Sequence, residues 1–255
     1  MIIELDVVEA AQTLLNNRNT SIKAKRLAPT LRPQSIDDAL AIQAQMTELR
    51  EDGIGGWKCL LPLAEDKLVV APIFADLVQR GESCSLYADG GVARVEPEIA
   101  FVLSQDLPAR DKDYSEAEID QAIGRCHMAL ELIQGRFADT ENAAFFEVLA
   151  DGLVNQGLFL GPEIDKAAAF SASNIEISFT QGEQTQQLAG EHPNQNPVSP
   201  IYWLINYMSK RGVSFNAGQA IITGSYAGIV ELNFACETEV EYQDLGAYKL
   251  KFLAR

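Results

Sequence analysis

The chain has 255 residues, 47% of them hydrophobic and 22% charged, and a formal charge of −16. That is enough apolar material for a sizeable core in one large domain or two small ones. The acidity argues against nucleic acid and anionic membranes as partners. It does not exclude an anionic small substrate, because a bound cation reverses the local potential.

In chain order, Met1-Ile2-Ile3-Glu4-Leu5-Asp6 has no basic segment and no long apolar run, so no signal peptide is expected. No run of ~20 apolar residues follows that would span a membrane. Asp6 is placed to cap a helix with apolar positions Val7, Val8, Ala11, Leu14 and Leu15. Residues 16–33, polar and basic with Pro29 and Pro33, read as a connection. Ser35 and Asp38 resemble a capping box and open a second helix to about Arg50, closed by Asp52-Gly53. Trp57-Lys58-Cys59-Leu60-Leu61 suits a strand, and Leu68–Ala71 and Ile73–Ala75 are strand or turn candidates. Gly81, Gly90 and Gly91 mark turns.

Beyond residue 90 strands dominate. Two helices interrupt them. One starts at the capping box Ser115-x-x-Glu118 and carries Ile119, Ala122, Ile123 and Cys126; the other carries Ile201, Leu204, Ile205 and Met208 before Gly212. Ile175, Ile177 and Phe179 alternate with polar residues up to a hairpin turn at Gln181-Gly182-Glu183. Ala220–Thr223 and Ile229–Leu232 flank a Gly-rich turn. Residues 237–242 and 248–252 alternate in the same way, which predicts half-buried strands in an antiparallel or mixed sheet. Cys59, Cys84, Cys126 and Cys236 are scattered with no CxxC spacing and read as reduced thiols of a cytoplasmic protein.

Three segments carry candidate chemistry. In Arg94–Leu103, Glu96 and Glu98 fall on one face of a strand, and Pro97 between them marks an edge or a bulge. Two such carboxylates are either a solvated acidic edge or oxygen ligands for a hard divalent ion. Glu131 sits among Leu130, Leu132 and Ile133, where a lone buried carboxylate is costly without a partner. A third ligand position, an ion pair or an exposed site explains it equally. Lys58 is likewise flanked by apolar residues. It is either a desolvated acid–base lysine of lowered pKa or one whose ammonium reaches back to water. Asp76 gives a similar, weaker signal. Gly224-Ser225-Tyr226-Ala227-Gly228 is either a backbone cradle for a ligand or a plain hairpin turn. His127 and His192, the two histidines, stand in no zinc-binding spacing, and no Gly-x-Ser-x-Gly elbow is present.

Taken in order, these segments resemble the fumarylacetoacetate hydrolase superfamily, in its 2-oxopent-4-enoate hydratase and 4-oxalocrotonate decarboxylase branch. Val95–Leu103 resembles the E-x-E-I-A-x-V-L signature and Ala129–Ile133 the A-L-E element. Gly56-Trp57-Lys58 resembles G-[YW]-K, Asp38–Gln43 the D-A-[YL]-A-I-Q helix, Phe74-Ala75-Asp76 an F-A-D element, and Ile222–Gly228 the Gly-rich pocket loop. Cys59-Leu60-Leu61-Pro62 departs from the family's G-L-T-S, and residues 191–200 are longer than its H-P-L-N segment.

The resemblance implies an α+β fold, with a mixed β roll over residues 81–255 as the catalytic, metal-binding domain and a smaller helical region over 1–80. It implies Mg2+ or Mn2+ on Glu96, Glu98 and Glu131, proton transfer by Lys58 and Asp76, substrate contacts from Thr223, Gly224 and Ser225, and self-assembly into a homo-oligomer. The implied reaction is hydration of a 2-hydroxy-2,4-dienoate to a 4-hydroxy-2-oxo acid, as in meta-cleavage catabolism of aromatics. The alternatives are a 4-oxalocrotonate-type decarboxylation, hydrolysis of an acylpyruvate C–C bond, for which the superfamily typically uses a histidine, and a non-catalytic ligand-binding or assembly protein.

Overall fold

The structure, a computed structural model, describes residues 5–139 and 143–255. The first four residues of the segment expected to lack a leader lie outside them. Among the described residues no helix is long and apolar enough to cross a membrane. In chain order the elements are α1 (Val7–Asn17), α2 (Ile36–Glu48), β1 (Ile54–Cys59), β2 (Val70–Phe74), β3 (Val78–Gln79), β4 (Ser83–Leu86), β5 (Ala93–Leu103), α3 (Glu116–Ala122), β6 (Ile123–Ile133), α4 (Phe145–Ala150), β7 (Asn155–Ile164), α5 (Lys166–Ser171), β8 (Asn174–Gln181), β9 (Gln184–Glu191), α6 (Ser199–Ser209), β10 (Ala220–Ile222), β11 (Val230–Leu232), β12 (Glu237–Tyr242) and β13 (Gly246–Ala254).

The two N-terminal helices form where their caps place them. Asp6 accepts from the Glu9 amide at 2.9 Å and Ser35 from the Asp38 amide at 3.1 Å. Asp38 does not close a capping box: its carboxylate reaches one residue further, to the Gln34 amide. Ala10, Ala11 and Leu14 of α1 pack with Ala39, Ile42 and Met46 of α2 and with Leu149 and Ala150 of α4.

An eight-stranded mixed sheet runs β2-β1-β10-β5-β6-β7-β3, with β11 also on β5; a five-stranded sheet runs β4-β13-β12-β8-β9. β1 and β2, which precede residue 80, are thus part of the large sheet. Pro72 is tolerated because β2 is an edge strand. Alternation along β8 and β12 turns Ile175, Ile177, Phe179, Val240 and Tyr242 inward, against Met128, Leu130 and Phe159 of the large sheet. The other face of the large sheet curls round a second, smaller cluster: Ile73 of β2, Ala100 of β5, Ala129 of β6, Leu158 and Leu160 of β7 and Ile222 of β10.

Three sequence expectations change. The helix from Ser115 stops at Ala122, so Ile123 and Cys126 lie in β6. Its capping box is present, but β-branched Ile123 and then Gly124 are poor helix formers, and pairing with β5 and β7 wins. Pro97 is not at the sheet's edge. β5 is central, and its ladder opposite β6 is shared by β10 at 100–102 and β11 at 93–95, leaving a gap at Pro97. The segment between β10 and β11 is not a hairpin turn, because both strands pair with β5. It spans that gap, and the Tyr226 amide donates to Pro97 O at 3.1 Å.

Candidate metal centre

The register of the central strands assembles the site. Glu96 and Glu98 share a face of β5, and Glu96 stands directly opposite Glu131 of β6. Lys58 of β1 pairs with Ile222 of β10, which pairs with Ala100 of β5, so Lys58 emerges on that same face. Oxygen atoms of Glu96, Glu98 and Glu131 all lie within 4.8 Å of one another. Glu98 and Glu131 are buried, at 2% and 0% exposure, and Glu96 is half-buried.

Each carboxylate is gripped differently. Glu98 accepts from the Gly224 amide at 2.6 Å. Gly224 has φ +117°, and a Cβ there would fall 2.5 Å from Leu60 Cδ2, so only glycine brings that amide to Glu98. Glu131 Oε1 accepts from Lys58 Nζ at 2.7 Å and Asn155 Nδ2 at 2.8 Å, while its buried Oε2 has no partner. Lys58 also donates to Leu153 O at 3.2 Å. Leu153 and Val154 both have positive φ, at 54° and 61°, which is unfavourable for a β-branched or bulky residue. Buried Arg18 and Arg136 hold this turn, each donating to both Asp151 O and Asn155 O over 2.6–2.8 Å.

The electrostatics are those of three acids sharing one base. Burial, and then the charges of Glu131 and Glu96, push Glu98 well above the usual carboxylate range. Burial and the Glu131 charge lift Glu96 to about 7. Burial alone would lower Lys58, but Glu131 and Glu96 outweigh it, so its pKa is raised. This reverses the lowered value expected for a desolvated lysine: in the metal-free protein Lys58 is an ammonium. A cluster of buried acids with one unpartnered carboxylate oxygen fits a hard divalent cation, which takes carboxylate oxygens at ~2.0–2.6 Å.

These residues line a cavity of about 270 Å³ with Cys59, Leu60, Val69, Pro193, Gly224, Ser225 and Gly228. Of the expected site residues, the structure brings Glu96, Glu98, Glu131, Lys58, Gly224 and Ser225 together. Thr223 is buried behind the loop, its hydroxyl 3.2 Å from His192 Nε2. Asp76 is exposed on a short 3₁₀ turn, its amide bonded to Asp52, and does not line the cavity. Neither histidine lines it either: burial lowers His192 to about 4, and His127 Nδ1 bonds to Gly161 O. Asn155 and the Leu153 carbonyl were not among the expected site residues. Neither Leu153 nor Val154 is a residue type that signals a left-handed turn.

No family model matches the chain. It is 25% identical to the 2-keto-4-pentenoate hydratase of Paraburkholderia xenovorans (strain LB400), over 96% of this chain and 94% of that one. The 4-oxalocrotonate decarboxylase from Pseudomonas putida G7, solved with magnesium and adipate, has a TM-score of 0.79 at 18% identity, covering 97% of each chain. A putative fumarylacetoacetate hydrolase family protein from Yersinia pestis CO92 has a TM-score of 0.52 at 18% identity, over 77% of this chain and 91% of that one. The chain therefore has the α+β fold of the fumarylacetoacetate hydrolase superfamily and is similar in sequence to its 2-keto-4-pentenoate hydratases.

Proposed function

We propose that this chain, on the premise of that fold and similarity, is a divalent-metal-dependent hydro-lyase. It adds water to a 2-hydroxy-2,4-dienoate and releases a 4-hydroxy-2-oxo acid. The observation that carries the reading is the buried triad Glu96, Glu98 and Glu131 with Lys58 as the one basic residue in its cavity. It is supported by similarity to a hydratase over nearly the whole of both chains.

Glu96, Glu98 and Glu131 would hold Mg2+ or Mn2+, which when bound supplies Lewis acidity at the 2-oxygen and neutralises charge developing there. Lys58 Nζ, anchored by Glu131 and Leu153 O, orients the substrate's carboxylate end by charge-assisted hydrogen bonding. Ketonisation moves the 2-hydroxyl proton away and delivers one to C5; water then adds at C4 with a proton to C3. Lys58 is the cavity residue placed to relay these protons, and such help is typically worth ~10²–10⁴-fold. Asn155 holds Glu131 through its side-chain amide, while the Gly224 amide fixes Glu98. Leu60, Val69 and Pro193 restrict water at the reacting carbons.

Hydrolysis of an acylpyruvate ranks below hydration because neither His127 nor His192 lines the cavity. We assign residues 81–255 as the bulk of the metal-holding roll, which β1 and β2 from residues 1–80 complete, β1 supplying Lys58. Four free cysteines, three of them buried, support a cytoplasmic setting, and assembly into a homo-oligomer belongs to the same reading. The test is loss of dienoate ultraviolet absorbance on addition of Mg2+ or Mn2+. Activity that survives a chelator, or survives Glu98→Gln, would overturn the metal mechanism.

A further inference from the structure

His192, buried at 1% exposure, does not line the cavity, yet both of its ring nitrogens are engaged. The Asn194 amide, which can only donate, lies 3.2 Å from Nδ1, so Nδ1 accepts and the ring proton sits on Nε2. Nε2 then donates to Thr223 Oγ1 at 3.2 Å. The His192 amide donates to Ser173 O at 2.8 Å, and the ring packs edge-on against Tyr226, with centroids 5.2 Å apart. Burial lowers the His192 pKa to about 4, so above that pH the ring is neutral and Nδ1 stays an acceptor.

These contacts converge on Gly224. Thr223 precedes Gly224, whose amide donates to Glu98 at 2.6 Å. Pro193, next to His192, packs on the same residue: its Cγ lies 2.8 Å from where a Cβ on Gly224 would stand. Leu60 Cδ2 lies 2.5 Å from that point, and Asn194 draws Leu60 into the set, since its Oδ1 accepts from the Leu61 amide at 3.3 Å. The two segments that depart from the family pattern, Cys59–Pro62 and 191–200, thus meet beside the amide that grips Glu98. Glycine brings no conformational preference of its own to φ +117°, so the place of this amide is set by its neighbours. A hydrogen bond to a metal-ligating carboxylate orients that carboxylate, and whatever holds the donor orients it at one remove.

We propose that His192 is a positioning residue of the metal centre, holding the Gly224 amide on Glu98 through Thr223, Pro193 and Asn194. The proposal rests on the reading of Glu98 as a metal ligand, and its test reads metal affinity rather than turnover. Mn2+ is titrated calorimetrically into the full chain and its variants. His192→Phe keeps a ring against Tyr226 and loses both hydrogen bonds; it should weaken Mn2+ binding about tenfold, the low end of what partners outside a ligand set are worth. His192→Gln keeps a donor within reach of Thr223 and should return the affinity to within about threefold of the unaltered protein. Thr223→Val, close in shape but without the acceptor, should lose part of the same affinity. The double variant should bind no more weakly than His192→Phe alone, because both substitutions remove one bond. General destabilisation lowers the unfolding midpoint but gives neither the recovery with glutamine nor the non-additivity. Affinity of His192→Phe within twofold of the unaltered protein, no recovery in His192→Gln, or losses that add in the double variant would overturn the proposal and leave the hydratase reading standing. Should His192→Phe fail to fold, Thr223→Val decides alone, and an unchanged affinity overturns the proposal. Absence of Mn2+ binding by the unaltered protein overturns the metal-dependent reading and the proposal with it.

Discussion

Two sets of buried acids in this chain are handled in opposite ways. Around the N-terminal helices each acid has its own cations. Glu147, fully buried, is met by both Nε and Nη2 of Arg26, by the Leu27 amide at 3.2 Å and by Arg32 at 3.7 Å. Asp151 has Arg136 at 2.7 Å and Arg18 at 3.8 Å. Asp89 has Lys23 at 2.9 Å, Arg94 at 3.1 Å and the Gly135 amide at 2.8 Å. Burial pushes Asp89 up, yet these donors hold it below its ordinary pKa. At the roll, three acids share Lys58, and Glu96 and Glu98 are displaced upward. Acids that each have basic partners of their own close a structure. Acids left short of positive charge by their own chain are poised for a cation from outside.

The comparison breaks most visibly with Glu98→Gln. The variant should lose at least ~100-fold in Mn2+ affinity, since even partners outside the ligand set are worth 10–100-fold in such sites, and turnover should fall with it. Glu147→Gln should leave calorimetric Mn2+ affinity unchanged and cost about 2 kcal/mol in urea unfolding. That is below the ~3–5 kcal/mol of a sealed pair, because Arg26 and Arg32 reach solvent. Equal metal loss in both variants would erase the distinction.

Lys58→Met comes next. It removes the one cation of the cavity, so turnover should fall by ~10²–10⁴-fold while Mn2+ binds as tightly or more so. A rate within threefold of the unaltered protein would leave Lys58 an ion-pair partner only.

A smaller effect is read from pH. Glu96 has a folded pKa of about 7, above its ordinary value in an unfolded chain. Its contribution to stability is therefore fully present below that ordinary value and is lost as pH rises through about 7. In the metal-free protein Glu96→Gln should relieve this loss, raising Tm at pH 8 relative to the unaltered chain by about 2–4 °C, roughly 1 kcal/mol for a chain of this size. At pH 4.5 the two should coincide. Saturating Mg2+ should reverse their order at pH 8. The smallest effect is expected from Asp76→Asn. Exposed and outside the cavity, it should change turnover less than about twofold, and a tenfold loss would put Asp76 back among the proton-transfer groups.

Much of the site was legible from local pattern. Period-2 alternation put Glu96 and Glu98 on one face, and the apolar neighbours of Glu131 and Lys58 raised burial for both as one of two or more open readings. The caps at Asp6, Ser35 and Ser115 located three helix starts. Where α3 ends was not legible, because nothing local to Ile123 says that β5 and β7 will flank it.

The sequence by itself determined which carboxylates are too costly to bury alone, since that depends on residue type and immediate neighbours. Only the tertiary structure decided that Glu96 would face Glu131, because register between β5 and β6 is a pairing of distant segments. It also decided that Lys58 carries a raised rather than a lowered pKa, since burial and a neighbouring charge act in opposite directions and only the 2.7 Å contact shows which wins. The turn at Leu153 and Val154 belongs to tertiary structure too. Its left-handed backbone runs against both residues' own preference and persists because Arg136 and, from far along the chain, Arg18 hold the flanking Asp151 and Asn155 carbonyls in place.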